Sequence, residues 1–282
     1  MSTHLKAVHE RSVGIGASAT QAAHQGEVCA ACPARSRGFC SSHDDETLAH
    51  FALGSARVAL SRGETLETND FAIMAEGVLN AVHYGQDGKH RIVGITMLGE
   101  AMMPGELSEN VIAVAATPVV VCRIRSTRYQ EALNRSQDFR RHIYLQARAK
   151  RDRARHLAFA IGHLSPEQRI SAFFASCTGF MPWQPLPDGG GILTMEYERQ
   201  DIAALLSTTV ETVCRVLRRL EGSGVIRMRD PRRIEIRNLA DLQVHGGLSS
   251  PLDGEGFAPA ARQFPVHAKA MRTVNAADAI GR

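Results

Sequence analysis

The apolar pattern of this chain changes its period part-way along the sequence, and that change constrains the fold more than any other feature. Between about residues 54 and 127 there are short apolar runs, at 57–60, 71–75, 78–83, 91–97, 111–116 and 119–124. Glycines separate them at nearly even spacing: Gly63, Gly77, Gly88 and Gly99. Short, regularly spaced strands with turn residues between them are typical of an all-β sandwich or barrel. The Asp-Gly step in 86–90 predicts a hairpin tip.

A heptad repeat replaces this pattern from about residue 136 to 164 and predicts one long helix. We expect its apolar seam to pair two copies of the chain, because the other faces of the helix are strongly charged. The seam comprises Ile143, Ala147, Lys150, Ala154, Leu157 and Ile161. Small alanines and a lysine in the middle predict a weak, switchable pairing. The alternative is a helix that packs only on its own domain.

Residues 198–222 predict two short helices joined by a turn at Ser207 and Thr208. Thr209 is a suitable N-cap for the second helix, where a side-chain oxygen satisfies a backbone N–H. We expect one face of that helix to be buried through four apolar residues: Val213, Val216, Leu217 and Leu220. Together these features predict a helix-turn-helix.

The opposite face of the second helix carries Glu211, Arg215 and Arg218, with Cys214 on its flank. Arginine can bind guanine in a bidentate manner and glutamate can accept a hydrogen bond from cytosine. This face therefore suits the major groove of double-stranded DNA. Segments 225–228 and 232–237 predict a two-stranded wing, whose arginines suit DNA phosphates.

The chain has six cysteines, and their uneven spacing does not resemble a secreted disulfide scaffold. The N-terminus lacks the apolar run of a secretory signal, and no apolar stretch reaches the ~18 residues of a membrane-spanning helix. We therefore expect a cytoplasmic protein, in which grouped thiols suggest a metal. Cys177 falls on the apolar face of a helix predicted to begin at Ser165, and we expect it to be a core thiol.

The sequence from Gln200 to Ile226, preceded by a glycine-punctuated β region and a long helix, resembles the CRP/FNR superfamily of bacterial transcription regulators. The N-terminal cysteine group narrows the resemblance to the FNR branch. The resemblance implies an α+β fold with a cyclic-nucleotide-binding-like β-roll, a dimerisation helix and a C-terminal winged helix-turn-helix. It also implies a homodimeric activator on a palindromic operator, in contact with RNA polymerase, and no enzyme activity.

The same resemblance implies an oxygen-labile [4Fe–4S] cluster. FNR-type members with a Cys-x2-Cys-x7-Cys group and a further strand-borne cysteine hold such a cluster, and four positions match: Cys29, Cys32, Cys40 and Cys122. A cluster held by three ligands from one segment and one from a strand would clasp the segment to the roll. In the recognition helix Glu211 and Arg215 match the family pattern Glu-x-x-Ser-Arg, whereas Cys214 replaces its serine.

We expect no cyclic nucleotide, because residues 98–116 lack the arginine that holds its phosphate in relatives that bind cyclic AMP. The predicted organisation has five parts: a flexible arm at 1–28, the cysteine segment and roll at 29–134, the dimerisation helix at 135–164, the winged helix-turn-helix at 165–242, and a flexible tail at 243–282.

Four alternatives remain open at this point. A structural zinc could replace the cluster, and control could instead depend on oxidation of Cys214. A haem sensor could use His24, His43 or His83 as an axial ligand. A cupin-type enzyme would need carboxylates beside His83 and His90, which the sequence does not supply.

Overall fold

The computed structural model describes residues 29, 31–53, 55–85 and 90–247. The arm at 1–28, most of the tail at 243–282 and all but the last residue of the predicted hairpin tip at 86–90 lie outside this range. Within it, no helix is long and apolar enough to cross a membrane.

The cysteine segment folds into three short pieces. A 3-10 turn, Pro33–Ser36, is followed by helices α1, Gly38–Ser41, and α2, Asp45–Ala52. Asp44 caps α2, since its side chain accepts a hydrogen bond from the Thr47 N–H at 2.8 Å. Carboxylates at 44–46 thus begin a helix, where they suit its dipole.

Eight strands form the roll in the described residues. They are β1 Ser55–Leu60, β2 Thr65–Leu66, β3 Phe71–Glu76, β4 Val78–Tyr84, β5 His90–Met97, β6 Ala101–Met102, β7 Val111–Ala115 and β8 Val119–Ile124. They make two antiparallel four-stranded sheets, ordered β1-β8-β3-β6 and β2-β7-β4-β5. An apolar cluster that includes Met74, Leu79 and Val121 fills the roll.

The six strands predicted from the apolar runs are confirmed to within about two residues, a normal scatter for element ends. The sequence missed β2 and β6 because two residues are too few to show an alternating pattern. Gly63, Gly77 and Gly99 all have positive φ, as expected for turn residues between strands.

Two helices follow the roll. Helix α3 spans Ser126–Arg135 and helix α4 spans Gln137–His163. Ser136 lies between them, and its side chain caps α4. The face of α4 that is buried within the chain comprises Phe139, Gln146, Ala149, Arg153, Leu157 and Ala160. The long helix is confirmed, but its buried face includes polar residues that a heptad pattern does not reveal.

The C-terminal part contains α5 Pro166–Cys177, β9 Trp183–Pro185, β10 Gly191–Thr194, α6 Arg199–Leu205, α7 Val210–Gly222, β11 Ile226–Met228, β12 Arg233–Ile236 and α8 Leu239–His245. The predicted helix start is confirmed, since Ser165 and Gln168 form a capping box at the beginning of α5, and Cys177 is fully buried as expected. The wing is larger than predicted, because β10 and β9 extend it to a sheet ordered β11-β12-β10-β9.

The winged domain packs directly on the roll. Tyr197 donates a buried hydrogen bond to Asn80 of β4 at 2.7 Å. Arg62 pairs with Asp201 of α6 at 2.7 Å, and Arg91 of β5 donates to the Ser207 hydroxyl at 3.1 Å. These contacts hold α6 against the roll.

Candidate cysteine centre and nucleic-acid interface

The structure brings the four predicted metal ligands into one region. Cys29 and Cys32 share one turn, since the Cys32 N–H donates to the Cys29 carbonyl at 3.2 Å. Cys40 lies in α1, and Cys122 lies in the middle of β8. Cys40 and Cys122 pack against the same cluster of aromatic and aliphatic side chains.

A glycine-to-glycine contact docks the cysteine segment on the roll. The N–H of Phe39 donates to the Gly99 carbonyl at 2.7 Å. Gly38 has φ +63°, and a Cβ at this position would overlap the Gly99 carbonyl oxygen. Phe39 is fully buried beside Phe71 and Phe139. Only glycine permits this close approach of two backbones.

The local environment makes it costly for these thiols to ionise without a metal. Burial raises the pKa of Cys40 far above its usual range, and the neighbouring thiols of Cys122, Cys32 and Cys29 raise it further. Burial raises the pKa of Cys122 to about 11, where a Ser55 hydrogen bond and Arg57 oppose the rise. A bound cation would relieve this cost, because a metal ligand is a thiolate.

All four cysteines are free thiols that are neither fully buried nor fully exposed. No group of three or more His, Cys, Asp or Glu within the described residues stands close enough to hold a metal ion as placed. The four sulfurs nevertheless lie within electrostatic reach of one another.

The cysteine segment rests on the turn at Gly99 and Glu100, which we call the docking turn. A buried ion pair connects this turn with the long helix α4. Glu100 follows Gly99 and is fully buried, and both of its carboxylate oxygens accept from Arg153 of α4, at 2.8 and 2.9 Å. The side chain of Gln146 on α4 accepts from the Ala101 N–H at 3.4 Å. The turn that carries the cysteine segment is thus also attached to α4.

The predicted helix-turn-helix consists of α6, a turn and α7. The side chain of Thr209 caps α7 through the Thr212 N–H at 3.2 Å. The predicted buried face is confirmed, with all of its members below 5% exposed: Val213, Val216, Leu217 and Leu220. The structure leaves Glu211, Arg215 and Arg218 exposed and Cys214 half-buried.

Arginines continue from α7 into the wing. Arg229 pairs with Glu235 and Arg233 pairs with Asp230, at 2.5 and 2.6 Å, whereas Arg227 is exposed on β11. The side-chain bond from Arg233 lowers the pKa of Asp230 to about 2, so this acid remains charged. The exposed part of the wing can place positive charge beside a phosphate backbone.

Residues 168–244 match the Crp-like helix-turn-helix domain family. The nitrogen fixation regulation protein FixK of Bradyrhizobium diazoefficiens is 28% identical to this chain, and the match covers 74% of this chain and 93% of FixK. The transcriptional activator protein FnrL of Cereibacter sphaeroides is 23% identical over 78% and 92%, respectively. Most of this chain is therefore similar to CRP/FNR transcription regulators, and its C-terminal part matches their Crp-like helix-turn-helix domain.

Solved structures show the same fold. FixK2 from Bradyrhizobium japonicum superposes with a TM-score of 0.60 at 17% identity, covering 67% of this chain and 96% of that one. CprK in complex with OCPA gives a TM-score of 0.55 at 16% identity, covering 72% and 94%. The relatives are transcription regulators, and this chain is a DNA-binding transcription regulator.

The residues of the predicted dimer seam lie in two different environments. Lys150 is placed in the seam by its spacing, but its ammonium group lies 2.7 Å from the Glu106 carboxylate of the roll. Leu157 is only 8% exposed, in the core of its own chain. Within one chain these two residues already have partners, and the seam between two copies stays a prediction. Ile143 and Ile161 are half-buried, whereas Ala147 and Ala154 are exposed.

The exposed stripe of α4 follows steps of three and four residues: Tyr144, Ala147, Arg151, Ala154 and Ala158.

A cavity of about 400 Å³ lies between α4 and strands β4 and β5, with Lys150, Arg153 and Glu106 in its wall. Both cations are engaged by carboxylates of the roll. That pairing agrees with the expectation that no nucleotide phosphate binds here, which stays a prediction.

Histidines give little support to the haem and cupin alternatives. His43 is 8% exposed and packs against the rings of Phe39, Phe139 and His142, and burial lowers its pKa to about 4. His83 and His90 lie on the paired strands β4 and β5. In the described residues neither belongs to a group of three or more side chains that could hold a metal ion. His24 lies outside those residues.

Sequence reasoning missed Glu100, Arg153, Ser55 and Arg57 as parts of the cysteine centre. Arg153 looked like one of many charges on α4, and only its burial separates it from them. Arg57 became relevant through β-sheet register, which places it opposite Cys122. In the sequence, Arg57 is a single charged residue in a short strand, and nothing near it indicates that it lies beside Cys122.

Proposed function

We propose that this regulator senses oxygen through a [4Fe–4S] cluster bound by Cys29, Cys32, Cys40 and Cys122. Its dimer would bind a palindromic operator when the cluster is intact. The observation that carries the proposal is the gathering of four free thiols from two segments that lie far apart in the chain.

The donor set suits this cofactor. Iron–sulfur clusters are held by cysteine thiolates, and four soft donors without oxygen or nitrogen ligands fit that chemistry. The cluster would supply the positive metal charge that these buried thiols need and a reaction with oxygen. The chain itself supplies the apolar packing around Cys40 and Cys122, which limits access of water.

The docking turn offers a route from the cysteine centre to the dimer helix. Ordering of 29–40 would press Phe39 and Gly38 against Gly99, whose neighbour Glu100 binds Arg153 of α4. The position of α4 then depends on the order of the cysteine segment. A coupling of about 1–3 kcal/mol, the usual allosteric range, is enough to switch a weak dimer.

A second copy would pair along the exposed stripe of α4, of which Ala147 and Ala154 belong to the predicted seam. Small side chains allow close approach of helices, but Arg151 lies between these two alanines and its like charge weakens the pairing. Two α7 helices of such a dimer can enter successive major grooves. Glu211, Arg215 and Arg218 would read bases or bind phosphates there, with Cys214 at their flank.

The decisive test compares anaerobic protein with the same protein after exposure to air. We expect visible absorption and bound iron and sulfide only in the anaerobic sample, together with a larger dimer fraction in sedimentation and tighter operator binding. Equal dimer fraction and equal affinity in the two samples would reject the switch. A colourless protein with one zinc per chain would establish the zinc alternative instead.

A neighbouring cation favours a second candidate, thiol control at Cys214. The Arg199 guanidinium of α6 lies near this thiol, and its Nη1 is buried without a hydrogen-bond partner in the described residues. Peroxide would convert the Cys214 thiolate to a sulfenic acid and release hydroxide, and the added oxygen would disturb the groove contact. If Cys214→Ser loses operator binding in peroxide as the parent does, this candidate is wrong.

A further inference from the structure

Sheet register places a cation directly beside the fourth thiol. Strand β1 pairs with β8 in antiparallel fashion, with Arg57 opposite Cys122. Residues that face each other in such a pair point to the same side of the sheet, with Cβ atoms about 4.5–5.5 Å apart. On its other side Cys122 faces Ile73, which is 3% exposed. One neighbour of this sulfur is thus charged and the other is apolar.

A second group of β1 reaches the same sulfur. Ser55 precedes Arg57 by two residues and therefore lies on the same side of the strand. Its hydroxyl forms a side-chain hydrogen bond with Cys122. The exposed edge of β1 therefore supplies both a hydroxyl and a guanidinium to the cysteine centre.

Arg57 is the less constrained of two arginines near the thiols. Its guanidinium lies opposite Cys122 in the sheet and is also an electrostatic neighbour of Cys29. Its ion pair with Glu76 is long, 3.7 Å, and both side chains are largely exposed. Arg35 also lies near the thiols, but it is bound to the Cys40 and His43 carbonyls and to Asp45.

We propose that Arg57 is the residue that sets the electron affinity of the iron–sulfur cluster from the Cys122 side, and so its lifetime in air. The proposal rests on the cluster assigned under the proposed function. Net charge, hydrogen bonds to sulfur and solvent exposure determine the reduction potential of such clusters. A nearby cation stabilises the more negative state of the cluster. It therefore opposes loss of an electron to dioxygen, which is reduced to superoxide in that step.

The test uses the full chain reconstituted anaerobically, with Arg57→Gln, Arg57→Lys and a matched control. Arg123→Gln is that control, because Arg123 follows Cys122 on β8, points to the opposite side of the sheet, and has nearly the same exposure, 42% against 40%. Iron and sulfide content, the reduction potential and the decay of visible absorption in air-saturated buffer are measured for each protein.

We expect Arg57→Gln to bind the same iron and sulfide as the parent, to shift the potential to more negative values and to decay about two- to fivefold faster, the effect of a partly exposed charge. Arg57→Lys and Arg123→Gln should remain near the parent. Glu76→Gln removes the opposing carboxylate and should shift the potential in the opposite direction. A loss of folding cannot produce that reversal of sign.

Parent-like potentials and decay rates in both Arg57→Gln and Glu76→Gln, with the cluster present, would overturn the role of Arg57 and leave the proposed function intact. An equal shift in Arg123→Gln would also overturn it, since the effect would then be long-range charge. A parent protein without iron and sulfide would overturn both proposals together.

Discussion

The recognition helix and the cysteine centre differ in how far apart in the chain their residues lie. Every residue that shapes α7, from the cap at Thr209 to the buried Leu220, belongs to one continuous segment. The cysteine centre joins 29–40 to Cys122, with Arg57, Gly99 and Glu100 between them. A local element is complete when its segment folds, whereas a non-local one depends on sheet register and on a group that holds its parts together.

The largest effect should come from the ion pair that joins the turn beside the cysteine centre to the long helix α4. Replacing Glu100 with alanine leaves the buried Arg153 guanidinium without its carboxylate, and losing one member of a buried pair costs about 3–5 kcal/mol. Chemical unfolding of the metal-free protein measures this cost. The double variant Glu100→Gln/Arg153→Met should recover much of the stability and separate the cysteine centre from α4. Unchanged stability in Glu100→Ala would show that the pair does not hold the turn.

The cysteine centre should fail as a unit when one ligand is removed. We expect Cys122→Ala to abolish bound iron and sulfide and to lower anaerobic operator affinity by about 5–150-fold, the range of allosteric coupling. Affinity in air should match that of the parent in air. Cys214→Ser is the matched thiol control and should keep its full iron content. A cluster that survives in Cys122→Ala would remove the strand ligand from the site.

The recognition helix should fail without affecting the centre. Arg215→Ala should weaken operator binding by about 1–3 kcal/mol, the value of one good base contact, both in air and without it. Iron content should be unchanged. Arg227→Ala on the wing should weaken binding to all sequences alike, since a phosphate contact carries no base information. Loss of iron in Arg215→Ala would show that the two regions are not independent.

The smallest effect concerns the contact between the winged domain and the roll. Arg62→Ala removes the pair with Asp201, and a partly exposed pair is worth about 0.2–1 kcal/mol. We expect a small loss of thermal stability and little change in iron content. Tyr197→Phe removes the buried hydrogen bond to Asn80 and should lower the free energy of unfolding by about 0.5–1.5 kcal/mol. Equal effects of the two variants would mean that burial does not strengthen this contact.

Sequence patterns were sufficient wherever a residue's role depends on its near neighbours. The alternating runs predicted six strands, and Ser165 and Thr209 predicted helix starts that the structure has as capping residues. Periodicity also predicted the buried face of α7, because its four members lie within two turns of helix.

The same patterns are not sufficient where two surfaces compete for one residue. The heptad repeat assigns Lys150 and Leu157 to a seam between two chains, whereas within one chain Lys150 pairs with Glu106 of the roll and Leu157 is 8% exposed. Periodicity shows which residues share a face of a helix. It does not show whether that face meets its own chain or another copy.

The sequence by itself determined the β region, the long helix, the helix-turn-helix and the family to which they point. Only the tertiary structure decided that Cys122 lies beside Arg57, that Gly38 rests on Gly99, and that Glu100 holds Arg153. Helix caps and periodic faces are set by interactions within a few residues. Sheet register and the docking of segments are set by the packing of residues that are distant in the chain.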